Sequence, residues 1–239
     1  MKEEEFLSVI KNTVGNKYIG DDCAYLKDLG LVISQDSLVE DVHFKLSYIT
    51  PYQLGYKSAM VNISDICASG GKPLYMSVAL SLPKNVTPEF IKEFYTGLKT
   101  ACNGIDIIGG DITGADKIMI SITIIGSTKN RNISSRANAQ SGHVIVTSGP
   151  HGSSAGGLNL LTENKSNDIL INAHLCPKAQ IDFSEKISTN IEENYAMMDS
   201  SDGLADSLLK IAQASDKTLL IDFSKVSFDK SIFEYKAVT

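Results

Sequence analysis

Five aspartate-bearing clusters fall where apolar segments of this chain end. They are Gly20-Asp21-Asp22, Ser34-Gln35-Asp36, Ser64-Asp65, Gly109-Gly110-Asp111 and Asp199-Ser200-Ser201-Asp202-Gly203. Asp is disfavoured inside strands and costly to bury unpaired. One such residue is a turn or a helix cap. Five at strand and helix ends point to carboxylates gathered in a cleft, where they repel one another unless a cation joins them. Oxygen ligands without clustered His or Cys suit a hard ion, Mg²⁺ before Zn²⁺. Mg²⁺ takes a few carboxylates together with substrate phosphates, so the pattern predicts an acidic site that handles a polyphosphate through metal bridges.

The periodicity around these clusters predicts a mixed α and β chain. Phe6, Val9 and Ile10 have helical spacing, and Leu31–Ile33 reads as a strand running into Asp36. Thr50-Pro51 and Thr87-Pro88 are cap-plus-proline helix starts, which predicts helices to about Ser69 and Ala101. Segments 74–82, 105–108 and 118–125 are expected strands. The polar stretch Ser127–Gly142 is the expected boundary between residues 1–135 and 136–239. Beyond it, strands are expected at 143–147, 196–198 and 219–222, with helices at 152–161, 177–189 and around Leu204–Ala212.

The run Ser148-Gly149-Pro150-His151-Gly152-Ser153-Ser154-Ala155-Gly156-Gly157 leads from an expected strand into a helix. Backbone N–H groups at such a start suit phosphate, though close helix packing uses the same glycines. It lacks the Gly-Lys-Ser/Thr of a Walker A loop. His143 and His174 read as structural or exposed, and the four cysteines, with no close pairs, as small buried hydrophobes.

Taken in order, Gly20-Asp21-Asp22-Cys23-Ala24, Ser34-Gln35-Asp36 through Val39-Glu40-Asp41-Val42-His43-Phe44, Gly55-Tyr56-Lys57-Ser58-Ala59, Val61-Asn62-Ile63-Ser64-Asp65-Ile66, Gly109-Gly110-Asp111-Ile112-Thr113 and Asp199-Ser200-Ser201-Asp202-Gly203-Leu204 resemble the thiamine-monophosphate kinase family. That family sits within the ATP-binding superfamily of aminoimidazole ribonucleotide synthetase and selenophosphate synthetase. The resemblance implies an α/β fold of two domains, the first dimerising through its sheet to give a homodimer. It implies Mg²⁺ contacts at Asp22, Ser34, Asp36, Asp65, Asp111, Asp199 and Asp202, with Asp36, Asp65 and Asp202 the most critical. Gln35 stands where the family usually has Thr; a metal contact through backbone would survive there. The resemblance further implies ATP contacts at Tyr95, Gly110, Asp111, Arg136 and Ser201, and a thiamine monophosphate contact at His43. The implied reaction passes the γ-phosphoryl of ATP to the phosphate of thiamine monophosphate. Relatives continue past Thr239 with an acidic segment and an aromatic residue that help hold thiamine, so a shortened C-terminal domain and an incomplete thiamine half-site are expected.

An acceptor phosphate is already ionised near neutral pH, since its second pKa lies near ~6, so no strong general base is required. Two anions must still be brought together, and the motifs offer Asp rather than Lys or Arg, so metal ions must neutralise them. The net charge of −6 argues against nucleic acid or an anionic membrane as partner. The acidic N-terminus lacks signal-peptide character, and cytoplasmic location is expected. Rival readings are another enzyme of the superfamily and a non-catalytic nucleotide-binding module. Selenophosphate chemistry would need a nucleophilic Cys in a glycine-rich N-terminal loop, and Cys23 is not so placed.

Overall fold

A computed structural model describes residues 3–234. In chain order it contains α1 (Glu3–Val14), β1 (Ala24–Leu26), β2 (Leu31–Val39), α2 (Pro51–Ala68), β3 (Lys72–Leu82), α3 (Pro88–Ala101), β4 (Asp106–Gly114), β5 (Met119–Ser127), α4 (Ser153–Thr162), α5 (Asp168–Leu175), α6 (Ile181–Asn190), α7 (Leu204–Ser215) and α8 (Ser231–Glu234).

The strands form one sheet in the order β1-β2-β5-β3-β4. All neighbours are antiparallel except β3 and β4. Strand alternation divides the sheet into two unlike faces. One face presents Val32, Leu38, Met76, Val78, Leu80, Ile120, Ile122 and Ile124, all buried. The other carries Gln35, Ser37, Ser77, Ser121 and Thr123, which are half-buried or exposed. Strand β4, at the edge, is exposed along its whole length, Ile108 and Ile112 included.

Helix α2 lies over the apolar face and is buried nearly all round, as a central helix must be. The Thr50 hydroxyl accepts from the Gln53 N–H while the Gln53 side chain accepts from the Thr50 N–H, a reciprocal cap with Pro51 in the first turn. The Thr87 hydroxyl caps α3 at Phe90. Helices α2 and α3 cross at two glycines: a Cβ at Gly55 would run into the Phe94 carbonyl, and one at Gly97 into the Tyr52 carbonyl. The main core joins this α2–α3 layer to the sheet, with Phe94, Leu98, Ile63 and Ile66 at its centre.

The second part differs from expectation. Segments 143–147, 196–198 and 219–222 are not strands, and no described strand pairs with them. A strand's backbone polar groups need a neighbour, and without one β-branched sequence alone does not make a strand. Val144 and Leu220 are 88% and 94% exposed. Described residues after 127 are helical or irregular, and α4, α5 and α8 share a small cluster of Leu160, Leu170 and Ile232. Two elements carried no clear sequence signal, the three-residue β1 and the apolar helix α5.

Candidate metal and phosphate site

The end of α2 and the loops that meet it build an acidic pocket. Asp65 lies in the last turn of α2, where its carboxylate accepts from the Ser34 hydroxyl of β2 at 2.6 Å. Asp22 comes from the loop before β1 and Asp199 from the loop before α7. One carboxylate oxygen from each of Asp22, Asp65 and Asp199 lies within 4.8 Å of the others. Ser64 donates to Asp199 at 3.4 Å, so adjacent residues of one helix end hold two of the three acids.

Burial raises the pKa of all three. Asp65 is pushed up to about 8, chiefly by loss of water, with Asp36, Asp199 and Asp22 adding repulsion against the Ser34 hydrogen bond. Asp199 rises to about 6 for the same first reason, with Asp22 and Asp36 adding to it. Asp22 rises less far, because Arg136 opposes its desolvation. Arg136 reaches Asp22 through Nη2 at 2.6 Å, and its main-chain N–H donates to Asp21 at 2.7 Å. The Arg136 Nε is buried and has no hydrogen-bond partner among the described residues. One cation therefore faces three close carboxylates. Such a donor set fits a hard divalent cation, and the orphaned Nε fits an anionic oxygen.

Asp36 stands at the open rim. Its backbone N–H donates to buried Asn62 of α2. Partial desolvation raises its pKa, His43 lowers it and Asp202 raises it. His43 and Asp202 therefore face the same carboxylate. The His43 Nδ1 accepts from the Val39 N–H at 3.0 Å, which leaves Nε2 for another partner. Lys210 holds Asp202 at 3.3 Å. Exposed Ser201 sits on the same loop between Asp199 and Asp202.

Four expected residues lie elsewhere. Gln35 points to the opposite face of the sheet, where it bonds Ser121 and Thr123. Strand periodicity forces this, since its neighbours Ser34 and Asp36 take the pocket side. The register aligns Asp36, Ile122, Val78 and Gly110 in one row, three strand spacings or roughly 14 Å across. Asp111 belongs to the next row, beside Ala79, Ser121 and Ser37, on the face that carries Gln35. Gly110 and Asp111 are thus outside the Asp22–Asp65–Asp199 pocket of their own chain. Tyr95 sits on α3, edge-on to Phe94, beside an open cavity of about 800 Å³ shared with Lys92 and Lys99.

Ser64 and Asn62 belong to the pocket although neither was singled out as a site residue. The signal was present: a polar pair beside Asp65 in a helix otherwise apolar enough to be central. Of the two readings open for His174, structural or exposed, the structure shows the first: it is buried.

Residues 20–128 match the family model of the AIR synthase related protein N-terminal domain. The thiamine-monophosphate kinase of Bacillus subtilis (strain 168) is 39% identical over 210 residues, covering 82% of this chain. That of Aquifex aeolicus (strain VF5) is 34% identical over 238 residues, covering 96% of this chain and 76% of its own length. The chain belongs to the thiamine-monophosphate kinase family. It spans 64% of the length of the Bacillus relative. Among solved structures, "AaThiL complexed with AMPPCP and TMP" superposes with a TM-score of 0.90 at 35% identity, over 98% of this chain and 76% of that one. No helix among the described residues is long and apolar enough to cross a membrane.

Proposed function

We propose that this chain phosphorylates thiamine monophosphate to thiamine diphosphate, taking the γ-phosphoryl group from ATP with the help of Mg²⁺. The observation that carries the reading is the approach of Asp22, Asp65 and Asp199 to within 4.8 Å, with Arg136 the one ion-paired cation beside them among the described residues. Their place in a chain of the thiamine-monophosphate kinase family supports it. So does the relative's structure named for AMPPCP and TMP.

Asp22, Asp65 and Asp199 are the residues that hold Mg²⁺, with Ser34, Asp36 and Asp202 on the pocket side completing or orienting the set. Bound there, Mg²⁺ neutralises phosphate oxygens of both reactants and the charge that builds between them. Arg136 opposes the desolvation of Asp22 and offers its free Nε to an anionic oxygen. His43, fixed through Nδ1 on the Val39 N–H, offers Nε2 to the acceptor phosphate at the rim. Ser201 is assigned to ATP by resemblance, and its exposed place between Asp199 and Asp202 supports that reading. No residue needs to act as a strong base; positioning and electrostatics carry the transfer.

The bare β4 edge and the small polar outer face call for a cover, and a second copy of the chain supplies it in a homodimer. Gly110, Asp111 and Tyr95 are assigned to ATP by resemblance, and Gly110 and Asp111 lie on that uncovered strand. Gln35, bonded on the outer face, contributes to metal binding only through its backbone. We further read residues 1–135 and 136–239 as two domains meeting along α2, and the cytoplasm as the place of action.

The direct test is thiamine diphosphate formation by the full chain with ATP and Mg²⁺, beside an ATP titration with and without EDTA. Product formation that stops in EDTA is the expected result. ATP binding without turnover would favour a nucleotide-binding module, and equal binding without divalent ions would overturn the metal site.

A further inference from the structure

Away from the acidic pocket, polar residues from three helices meet: buried His174, half-buried Lys57 and exposed Ser154. The Lys57 Nζ of α2 lies 3.2 Å from the His174 Nε2 of α5, and the His174 Nδ1 lies 3.1 Å from the Ser154 Oγ of α4. A half-buried lysine with no carboxylate beside it is unusual, since desolvation leaves an ammonium in want of an anion. Lys57 forms none of the ion pairs found among the described residues. The donor inventory fixes the protons. Ammonium donates only, so the His174 Nε2 must accept; the ring proton then sits on Nδ1 and is donated to Ser154.

The trio lies between two bodies. Helices α4 and α5 touch backbone to backbone, since a Cβ at Gly157 would run into the Leu170 carbonyl. They therefore shift together, and the glycine-rich run 148–157 shifts with them. On the other side is α2, whose Lys57 and Ser64 are seven residues apart and share a face. The Ser64 hydroxyl holds Asp199, and three residues further on the Cys67 carbonyl accepts from Ser184 of α6 at 2.6 Å. One face of α2 is thus bonded along its length to the later part of the chain, and Lys57 is the contact farthest from the metal pocket.

We propose that Lys57, His174 and Ser154 form a proton-ordered tie that seats the α4–α5 pair against α2, making Lys57 and His174 positioning residues for the phosphoryl-transfer site. It rests on the proposed reaction only for what is being positioned; the tie itself is a property of the folded chain. The tie needs a neutral His174. Burial and Lys57 press His174 down to about 4, and burial presses Lys57 down to about 8. The groups facing His174 are Lys57 from α2, Ser154 from α4 and the edge of Tyr48 from the loop before α2; Cys176, just after α5, faces Lys57. None of these is a carboxylate that would favour the imidazolium.

The experiment is ring-nitrogen NMR of His174 in the full chain, wild type against Lys57→Met and Ser154→Ala, with amide exchange followed on the same samples. In the wild type the proton should sit on Nδ1 at neutral pH, with titration well below the usual histidine range. Lys57→Met should move that midpoint up by roughly one pH unit as the neighbouring positive charge is lost. Exchange across residues 153–162 should quicken about tenfold while β3 and β5 stay protected. Ser154→Ala, which leaves α2 untouched, should release the Nδ1 proton preference and quicken the same segment. A proton on Nε2, a wild-type midpoint near 6.5, or unchanged exchange in both variants would overturn the tie. None of these readouts needs turnover, so they stand apart from a failure to form thiamine diphosphate.

Discussion

Ile120, Ile122 and Ile124 are wholly removed from water, while Val144 and Val146, in a segment just as β-branched, are 88% and 67% exposed. The two stretches have the same local preference. The first is flanked by β2 and β3 and covered by α2; the second has no neighbouring strand among the described residues. Strand propensity therefore becomes strand structure only where a partner satisfies the backbone and a helix covers the side chains. The same contrast runs through the site. Asp65 and Ser34 are held by regular elements of the early region, whereas Asp199, Ser201 and Asp202 hang on a loop of the later one.

The contrast can be broken most severely at the site. Asp65→Asn keeps the shape but removes the anion at the fixed end of α2, and should weaken Mg²⁺-dependent ATP binding by about a hundredfold; calorimetry with and without Mg²⁺ reads this. Next comes the core. Ile122→Ala should cost about 2–5 kcal/mol in chemical denaturation, and Val146→Ala within ~0.5 kcal/mol. Equal losses would mean that the later segment is as well packed as the sheet.

A smaller effect separates the two regions by pH. In the unfolded chain the carboxyls of Asp65 and Asp199 titrate near 3.8, and in the folded chain near about 8 and about 6. The folded state thus binds more protons between about pH 4 and about pH 8, so metal-free stability falls as pH rises across that window. In EDTA the melting temperature should fall steadily from about pH 5 to about pH 8. Added Mg²⁺ should restore it mainly at the alkaline end. A melting temperature that climbs with pH in EDTA would contradict the acid cluster. The smallest effect is expected of Gln35→Ala. Its side chain lies on the far face, so ATP·Mg²⁺ affinity should change by less than about twofold in the same titration.

These differences also show what sequence could and could not convey. The capped helices at Thr50 and Thr87 and the apolar strands 74–82 and 118–125 were legible, because their signals are local and their partners lie close along the chain. The grouping of Asp22, Asp65 and Asp199 was legible as a kind of chemistry, through Asp beside Gly and Ser at segment ends. Gln35 and Asp111 were not separable from their motif neighbours by motif alone; alternation and register send them to the other face. The later strands were misjudged because pairing is a property of two segments. The partners of His174 were not legible, because Lys57 and Ser154 are 117 and 20 residues away.

The glycine pair at the α2–α3 crossing has a mechanical consequence. With Gly55 against the Phe94 carbonyl and Gly97 against the Tyr52 carbonyl, the two backbones are keyed together at a distance no larger residue would allow. Asp65 therefore stands on a close-packed base, while Asp199, Ser201 and Asp202 face it from a loop with no such keying.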